Sequence, residues 1–152
     1  MLYRGSLSVV VSQERASRQF LFAQRHSKRW DKFLVTGPQG RNDGECPYNA
    51  LVREAREECG IGPHMISLAR PLLTFRLPEE DSGILITAYA LLIPKAYLRK
   101  LKEHFPEGEL SFYALMDRYG VEWLLANGDV HIQPHCEYVL RKEGMLDFLC
   151  GL

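Results

Sequence analysis

The segment GECPYNALVREAREECGIG, residues 44–62, concentrates four glutamates and two arginines in a window of helical character. Side chains three and four positions apart are neighbours on a helix, so Glu54, Glu57 and Glu58 would share one face. Each like-charge pair at this spacing costs roughly a few tenths of a kcal/mol. Either this face is an ordinary solvated surface, or a strongly positive group lies beside it.

Signals at both ends of the segment predict the helix boundaries. Pro47 suits the first helical position, where its missing N–H is not needed, and Gly60 suits the C-terminal stop. A solvated charged face is the commoner interpretation of a generic REAREE sequence. Carboxylates on one rigid face also supply the hard oxygen ligands that Mg²⁺ or Mn²⁺ prefers. The upstream loop TGPQGRNDGE favours the metal site, because it brings Glu45 and several backbone carbonyl groups beside the carboxylates.

The segment resembles the Nudix box, in which Gly, five residues, Glu and seven residues precede R-E-U-x-E-E-x-G-U, with U aliphatic. Here Glu45 is followed by the seven residues CPYNALV and then by REAREECGI. The positions in register are Arg53, Glu54, Glu57, Glu58, Gly60 and Ile61. The resemblance to the Nudix hydrolase (MutT-like) family spans Gln39 to Ile61.

Two positions depart from that pattern. The opening Gly of the box falls on Gln39, and Gly40 follows it. In the family the backbone carbonyl of the opening residue helps to bind metal, so either Gln39 or Gly40 takes this part. Ala55 stands at the first aliphatic position, where we expect its small side chain to thin the packing beneath the helix.

The resemblance implies hydrolysis of a phosphoanhydride in a nucleoside diphosphate-linked substrate, with Mg²⁺ or Mn²⁺ as cofactor. A carboxylate surface can approach a pyrophosphate only through divalent cations, which neutralise the phosphoryl oxygens and lower the pKa of an attacking water. We expect Glu54, Glu57 and Glu58 to hold the metal. Arg53 and Glu45 are predicted to form a supporting ion pair that orients the loop and the helix.

In the family a general base for the attacking water is often a further glutamate outside the box. Glu109 ranks first here because it directly precedes an apolar strand, which would hold it rigidly. Glu107, two residues before it, is the next candidate. The acidic loop LPEEDS supplies the remaining alternatives, Glu79, Glu80 and Asp81.

The basic and aromatic segment RHSKRW supplies candidate substrate-binding residues, Arg25, Arg29 and Trp30, which could clamp phosphates and stack a base. An exposed strand end is an equally good interpretation of this segment. His131 and His135 flank Pro134, and a capped helix start explains them better than a metal pair does. Trp123 is predicted to lie in the core.

The remaining sequence predicts an α/β domain with a mixed sheet covered by helices. Strands are expected at 6–13, 18–25, 65–77, 83–94 and 109–116. Helices are expected at 47–59, 95–105, 120–128 and 134–149. Combined with the family resemblance, this order predicts a Nudix-type α/β/α sandwich with a catalytic loop–helix–loop, as a single domain over residues 1–152.

Composition limits the class of protein. The 152 residues carry 19 basic and 19 acidic side chains, so the zero net charge gives no general argument for wrapping nucleic acid. Four scattered cysteines without a CxxC pair are typical of reduced thiols in a cytoplasmic protein. The N-terminus lacks the apolar core of a signal peptide, and no apolar run is long enough to span a membrane.

The leading hypothesis is a metal-dependent hydrolase of a small nucleotide derivative. A second hypothesis within the same chemistry is removal of pyrophosphate or a cap from an RNA 5′ end, because PQG resembles the PQGG loop of Nudix RNA pyrophosphohydrolases. A third is a non-catalytic Nudix-like module that binds a nucleotide or a partner. Oligomeric state is left open by the sequence.

Overall fold

The computed structural model describes residues 3–76 and 84–152, without the side chain of Tyr3. Glu79, Glu80 and Asp81, the alternative candidates for a general base, lie outside the described residues. Seven strands occur in the described chain: β1 (Tyr3–Ser12), β2 (Phe20–Arg25), β3 (Leu34–Val35), β4 (Gln39–Arg41), β5 (Leu68–Phe75), β6 (Ile84–Ile93) and β7 (Leu110–Met116). Five α-helices accompany them: α1 (Pro47–Cys59), α2 (Lys95–His104), α3 (Arg118–Ala126), α4 (Pro134–Arg141) and α5 (Met145–Gly151).

The described strands form one mixed sheet in which β1 is central. Strands β3, β2, β1, β6 and β5 follow one another across the sheet, β4 also pairs with β1, and β7 also pairs with β2. Strands β1 and β6 are parallel over their whole length, from Tyr3 opposite Ile84 to Ser12 opposite Ile93. The other pairs are antiparallel. A mixed sheet was predicted, and the structure confirms it.

Helices cover both faces of the sheet, which gives the α/β/α sandwich. Residues 5–12 of β1 are all buried, including its three serines, so neither face of this strand reaches solvent. The sequence of a strand that is buried on both faces is often a nearly continuous apolar run, and VVV is such a run in β1. Helix α1 packs on β1, β4 and β7. Its buried side chains include Leu51, Ala55 and Cys59.

The ends of α1 agree with the sequence signals. Pro47 is the first helical residue, and Gly60 adopts the left-handed conformation (φ 71°) just past the last turn. The Gly60 N–H donates to the Arg56 carbonyl and the Ile61 N–H to the Ala55 carbonyl, which satisfies two groups that the helix end leaves open. These bonds fix where the charged face of α1 stops.

Three expectations were wrong. The predicted final helix over 134–149 is two helices, because the chain leaves the helical conformation at Lys142 (ψ 131°) and Gly144, with φ 78°, precedes the second helix. Part of the predicted loop TGPQGRNDGE is strand β4, since Gln39–Arg41 pairs antiparallel with Gly5–Leu7. Trp123 is 59% exposed on α3 and does not belong to the core.

Two further findings concern the cysteines and the helices. All four cysteines are free thiols. Among the helices of residues 3–76 and 84–152, none is long and apolar enough to cross a membrane.

Candidate active site

The charged face of α1 meets strand β4 and the turn that joins them. The Asn42 side chain, which is buried, accepts a hydrogen bond from the Ser6 hydroxyl at 2.5 Å, and the same hydroxyl lies 3.2 Å from the Pro47 carbonyl. The Glu45 N–H donates to the Asn42 carbonyl at 2.8 Å. Strand β1 therefore anchors both the turn and the start of the helix.

Arg53 ties the turn to the helix. Its Nε donates to Glu45 Oε1 at 2.8 Å, and its Nη1 donates to Glu54 Oε1 at 2.7 Å. The same Nη1 lies 3.6 Å from Glu57 Oε2, one turn further along. The predicted contact between Arg53 and Glu45 is present. These hydrogen bonds to Glu45 and Glu54 raise the pKa of Arg53 above its ordinary value.

Glu58 is the most buried carboxylate of the cluster. Its side chain is 7% exposed, and Oε1 accepts the backbone N–H of Gln39 at 3.0 Å. Oε2 lies 3.8 Å from Arg25 Nη1. Burial raises the pKa of Glu58 to about 7, and the nearby Glu54 and Glu109 add to the shift, although the Gln39 N–H and Arg25 oppose it. Burial likewise raises the pKa of Glu54.

Gly40 lies directly against Glu54. A Cβ atom at Gly40 would stand 2.7 Å from Glu54 Oε1 and 2.8 Å from its Cδ, closer than real Cβ contacts. Gln39 lies in the extended strand β4 beside it. The close approach between β4 and the Glu54 side chain is therefore at Gly40, one residue after the position that the motif pattern assigns to glycine.

A cleft of about 560 Å³ opens between α1, β4 and the turn before β7. Arg25, Gln39, Gly40 and Arg41 form one side of it. Five carboxylates line it: Glu54, Glu57, Glu58, Glu107 and Glu109. The structure thus brings the three helix glutamates together with both candidates for a general base in the turn.

Glu109 and Glu107 differ in how they are held. The Glu109 carbonyl accepts the His26 N–H at 2.7 Å, and Glu109 Oε2 lies 3.5 Å from Arg25 Nη2. Its side chain remains 67% exposed to the cleft and solvent. Glu107 is exposed, and the residue that follows it, Gly108, has φ 154°. Glu109 is therefore the better anchored of the two.

A second cavity of about 250 Å³ adjoins the cleft, and Arg25, Gln39, Gly40 and Arg41 border both. The three predicted substrate-binding residues, Arg25, Arg29 and Trp30, all line it. Arg29 lies over the Trp30 ring at 4.9 Å, and Trp30 meets Phe33 edge to face. Ile84 and Ile86 of β6 supply an apolar wall.

Among the residues of this second cavity, sequence reasoning did not single out Gln133 or Arg41, and it left His135 as a helix-start residue. Gln133 is 3% exposed and His135 is 6% exposed. The available signal was Pro134, which fixes the start of α4 and therefore the positions of both neighbours. His131 instead packs beside Phe33, at 5.4 Å between the rings.

The carboxylates are oriented toward arginines in the structure. Within the described residues, no group of three or more His, Cys, Asp or Glu side chains is already arranged around one point as for a metal ion. Arg53 engages Glu54 and Glu57, and Arg25 approaches Glu58. Side-chain rotation away from Arg53 would be needed for these oxygens to converge.

Comparison with known proteins gives the family. A sequence model of the NUDIX domain matches residues 2–129. An RNA pyrophosphohydrolase of Marinomonas sp. (strain MWYL1) is 35% identical over 82 residues, which is 51% of this chain and 47% of that protein. The chain thus spans about half the length of this curated relative.

Solved structures agree on the fold. DR0079 from Deinococcus radiodurans superposes with a TM-score of 0.66 at 19% identity, covering 91% of this chain and 82% of that one. The Ap4A hydrolase of C. elegans, in a binary complex, superposes with a TM-score of 0.61 at 14% identity, covering 99% and 100%. At these identities the likeness concerns the fold alone.

Proposed function

The chain belongs to the NUDIX domain family, and from that premise we propose that it hydrolyses a phosphoanhydride in a nucleoside diphosphate-linked substrate with the help of Mg²⁺ or Mn²⁺. The observation that carries the proposal is the cleft in which the glutamates of α1 face the glutamates of the turn before β7. Five carboxylates around one cleft repel one another, and a bound divalent cation would relieve that repulsion.

The donor set fits a hard divalent cation. Carboxylate and backbone carbonyl oxygens are the ligands that Mg²⁺ and Mn²⁺ prefer. The raised pKa values of Glu54 and Glu58 indicate that buried negative charge here lacks full compensation. Glu54, Glu57 and Glu58 would hold the cation, with the carbonyl of Gln39 or Gly40. A bound cation would neutralise phosphoryl oxygens and lower the pKa of an attacking water.

Arg53 and Glu45 act as positioning residues in this proposal. The hydrogen bond between them links the turn at residues 42–45 to α1. It therefore holds the carbonyl groups of β4 at a fixed distance from the helix carboxylates. Arg53 also restrains Glu54 and Glu57. Losing such supporting contacts typically costs 10- to 100-fold in activity or metal affinity.

Glu109 is proposed as the general base. Its carboxylate takes a proton from water as the water oxygen attacks phosphorus and the anhydride P–O bond breaks, leaving two phosphate products. It is better suited than the helix carboxylates, whose lone pairs a cation would occupy. Its backbone is anchored to His26, and its exposed carboxylate can reach a water in the cleft. Glu107 is the alternative on the same turn.

The nucleoside end of the substrate is proposed to occupy the second cavity. Arg25 borders both spaces and is 16% exposed, so its guanidinium can contact phosphate at the junction. Arg29 and Trp30 would then hold the sugar or stack on the base.

An RNA 5′ end is the second candidate substrate. The Marinomonas relative is named as an RNA pyrophosphohydrolase, and its 82 matched residues favour this alternative. Lys28 and Lys32, which are exposed and close to Arg29 in the sequence, would meet the phosphates that follow the first nucleotide. The four free thiols favour a cytoplasmic location, where either substrate would be met.

The test is a release assay over a panel of nucleoside triphosphates, nucleoside diphosphate derivatives, dinucleoside polyphosphates and triphosphorylated RNA, each with Mg²⁺, Mn²⁺ or a chelator. The proposal expects metal-dependent turnover of at least one small nucleotide, with a monophosphate among the products. Turnover of RNA alone would favour the second candidate. Tight binding without turnover of any member would identify a non-catalytic binding module and overturn the proposal.

A further inference from the structure

Two glutamine amides meet in the wall of the second cavity. Gln39 Nε2 donates a hydrogen bond to Gln133 Oε1 at 2.6 Å, although the two residues are 94 positions apart. The Cys136 thiol, one turn further along α4, lies 3.7 Å from the same Gln133 oxygen. Both glutamines line the cavity that the proposed function gives to the nucleoside.

Both amides stand on fixed backbone. The Gln39 N–H is bonded to Glu58, and Gln39 pairs with Leu7 across the sheet. The Gln133 N–H donates to the Leu34 carbonyl at 2.9 Å, and its carbonyl accepts the Glu137 N–H at 2.9 Å. Groups held by rigid elements in this way can select a ligand, because little conformational freedom is lost on binding.

The pair leaves hydrogen-bonding capacity unused. Gln133 Oε1 receives the Gln39 amide, so within the described residues Gln133 Nε2 has no acceptor and Gln39 Oε1 has no donor. Exchange of N and O in both side chains gives the same result with the roles reversed. In either case the N–H donors of one amide and the oxygen acceptor of the other have no partner in the described part of the chain. The edge of a nucleobase presents the complementary set.

The surroundings of the pair suit a flat, partly apolar group. Ile84 and Ile86 supply apolar contact, and Trp30 supplies an aromatic face. Stacking and apolar contact accept any base, whereas buried amides discriminate, because a mismatched edge leaves their polar atoms unpaired. The amides are therefore the part of the cavity that can distinguish one base from another.

We propose that the Gln39–Gln133 amide pair reads the edge of the nucleobase and sets the base preference of the enzyme, an inference that rests on the proposed function. It also accounts for glutamine at the position where the motif pattern has its first glycine. The backbone N–H of Gln39 supports Glu58 in the cleft, while its side chain faces the second cavity. The close approach to the Glu54 side chain is at Gly40 instead.

The experiment is equilibrium binding of the four α,β-methylene nucleoside triphosphates, which resist cleavage at that bridge, in the presence of Mg²⁺. Wild type, Gln39→Leu, Gln133→Leu and the control Gln24→Leu are compared, and melting curves check that each is folded. Gln24 is on β2, where its side chain amide contacts the Lys32 carbonyl outside the cavity. For the wild type and for the control, we expect the dissociation constants of the best-bound and worst-bound analogues to differ by about tenfold or more.

In Gln39→Leu the affinities should converge to within about threefold, mainly through weaker binding of the preferred base. Gln133→Leu should show the same convergence of affinities as Gln39→Leu. If Gln133→Leu is unfolded, Gln39→Leu alone decides, because Gln39 is less buried. Equal binding of all four bases by the wild type, or an unchanged preference in Gln39→Leu, overturns the base-reading pair and leaves the proposed function intact. An equal loss of affinity for all four analogues in Gln39→Leu also overturns the base-reading pair, because loss of a purely structural contact would have the same effect. Wild type that binds none of the analogues also overturns the base-reading pair, whereas the proposed function is decided by the release assay.

Discussion

At the scale of single residues, Glu58 couples the charge of the cleft to stability. Its pKa of about 7 in the folded protein exceeds the ordinary value of a glutamate in an unfolded chain, about 4.3. Between these pH values Glu58 holds a proton in the folded state that it has lost in the unfolded state. The stability that Glu58 contributes is therefore fully present below pH 4 and is lost as pH rises through 7. Without metal, we expect the free energy of unfolding to fall by roughly 4 kcal/mol across this range.

Urea unfolding at several pH values in chelator measures this change. Glu58→Gln should flatten the profile between pH 4.5 and 7, whereas Glu103→Gln, an exposed residue of α2 outside the cleft, should not. A wild-type profile as flat as that of Glu58→Gln would show that the carboxyl group titrates normally.

Glu109 tests the assignment of the general base. Glu109→Gln keeps the size of the side chain but removes its ability to take a proton, so the maximal rate should fall by about 10²- to 10⁴-fold with little change in metal affinity. Glu107→Gln is the matched control in the same turn and should do much less. Full activity in both variants, with loss on changing Glu79 or Glu80, would move the base to the LPEEDS loop.

Gly40 tests the contact between β4 and α1. The added methyl group of Gly40→Ala would overlap the end of the Glu54 side chain. That end can rotate away, so melting temperature should change little while metal-dependent turnover falls by about tenfold or more. Gly128→Ala is the control, since no atom lies within 4 Å of its added Cβ. Equal turnover in the two variants would remove Gly40 from the site.

At the scale of elements, the break between α4 and α5 combines the extended backbone of Lys142 with the left-handed conformation of Gly144. Gly144 has φ 78° and Gly151 is in a helix, and an added Cβ meets no atom within 4 Å at either position. Gly144→Ala should therefore destabilise the protein by about 1–2 kcal/mol through the left-handed conformation alone. Gly151→Ala should be neutral or slightly stabilising. Thermal unfolding compares them, and an equal effect of the two substitutions would contradict this cause of the break.

The elements that could be predicted are those with local signals. Pro47 and Gly60 mark both ends of α1 because each acts through its own backbone. Strand β4 could not be predicted, since three residues of a Gly- and Pro-containing loop pair only because β1 lies beside them. The interruption at Gly144 lies within an amphipathic pattern that favours one continuous helix. Trp123 carries a strong apolar signal, but the face of α3 that bears it has no neighbour in the described chain that buries it.

At the scale of the whole molecule, the candidate site combines one local pattern with contacts between distant segments. The glutamates of α1 are in register within a single motif, which is why the sequence predicted them. Their relation to Arg25, Glu109 and Gln133 depends on pairing of β2 with β7 and on packing of α4, and neither leaves a signal in spacing. Sequence reasoning found Arg25 and Glu109 by their charge, but it missed Arg41 and the neutral Gln133.

Metal binding should also appear as a property of the whole fold. A cation that binds only the native state at 100 times its dissociation constant adds about 2.7 kcal/mol. For a domain of this size we expect the melting temperature to rise by about 5–10 °C in Mg²⁺ or Mn²⁺. Glu58→Gln should blunt this rise, and Glu103→Gln should keep it. A melting temperature that ignores metal, even with a nucleotide analogue present, would count heavily against the cleft as a metal site.

The central claim is that the carboxylates of α1 carry a metal-dependent hydrolysis, and turnover of the best panel substrate tests it most directly. Wild type, Glu57→Gln, Glu58→Gln and Glu103→Gln are compared at saturating Mg²⁺ or Mn²⁺, with melting curves for each. We predict that Glu57→Gln and Glu58→Gln stay folded but lose nearly all turnover, because each removes one negative charge that would bind the metal and removes no core contact. Glu103→Gln should match wild type. Turnover in Glu57→Gln and Glu58→Gln comparable to wild type would contradict the claim.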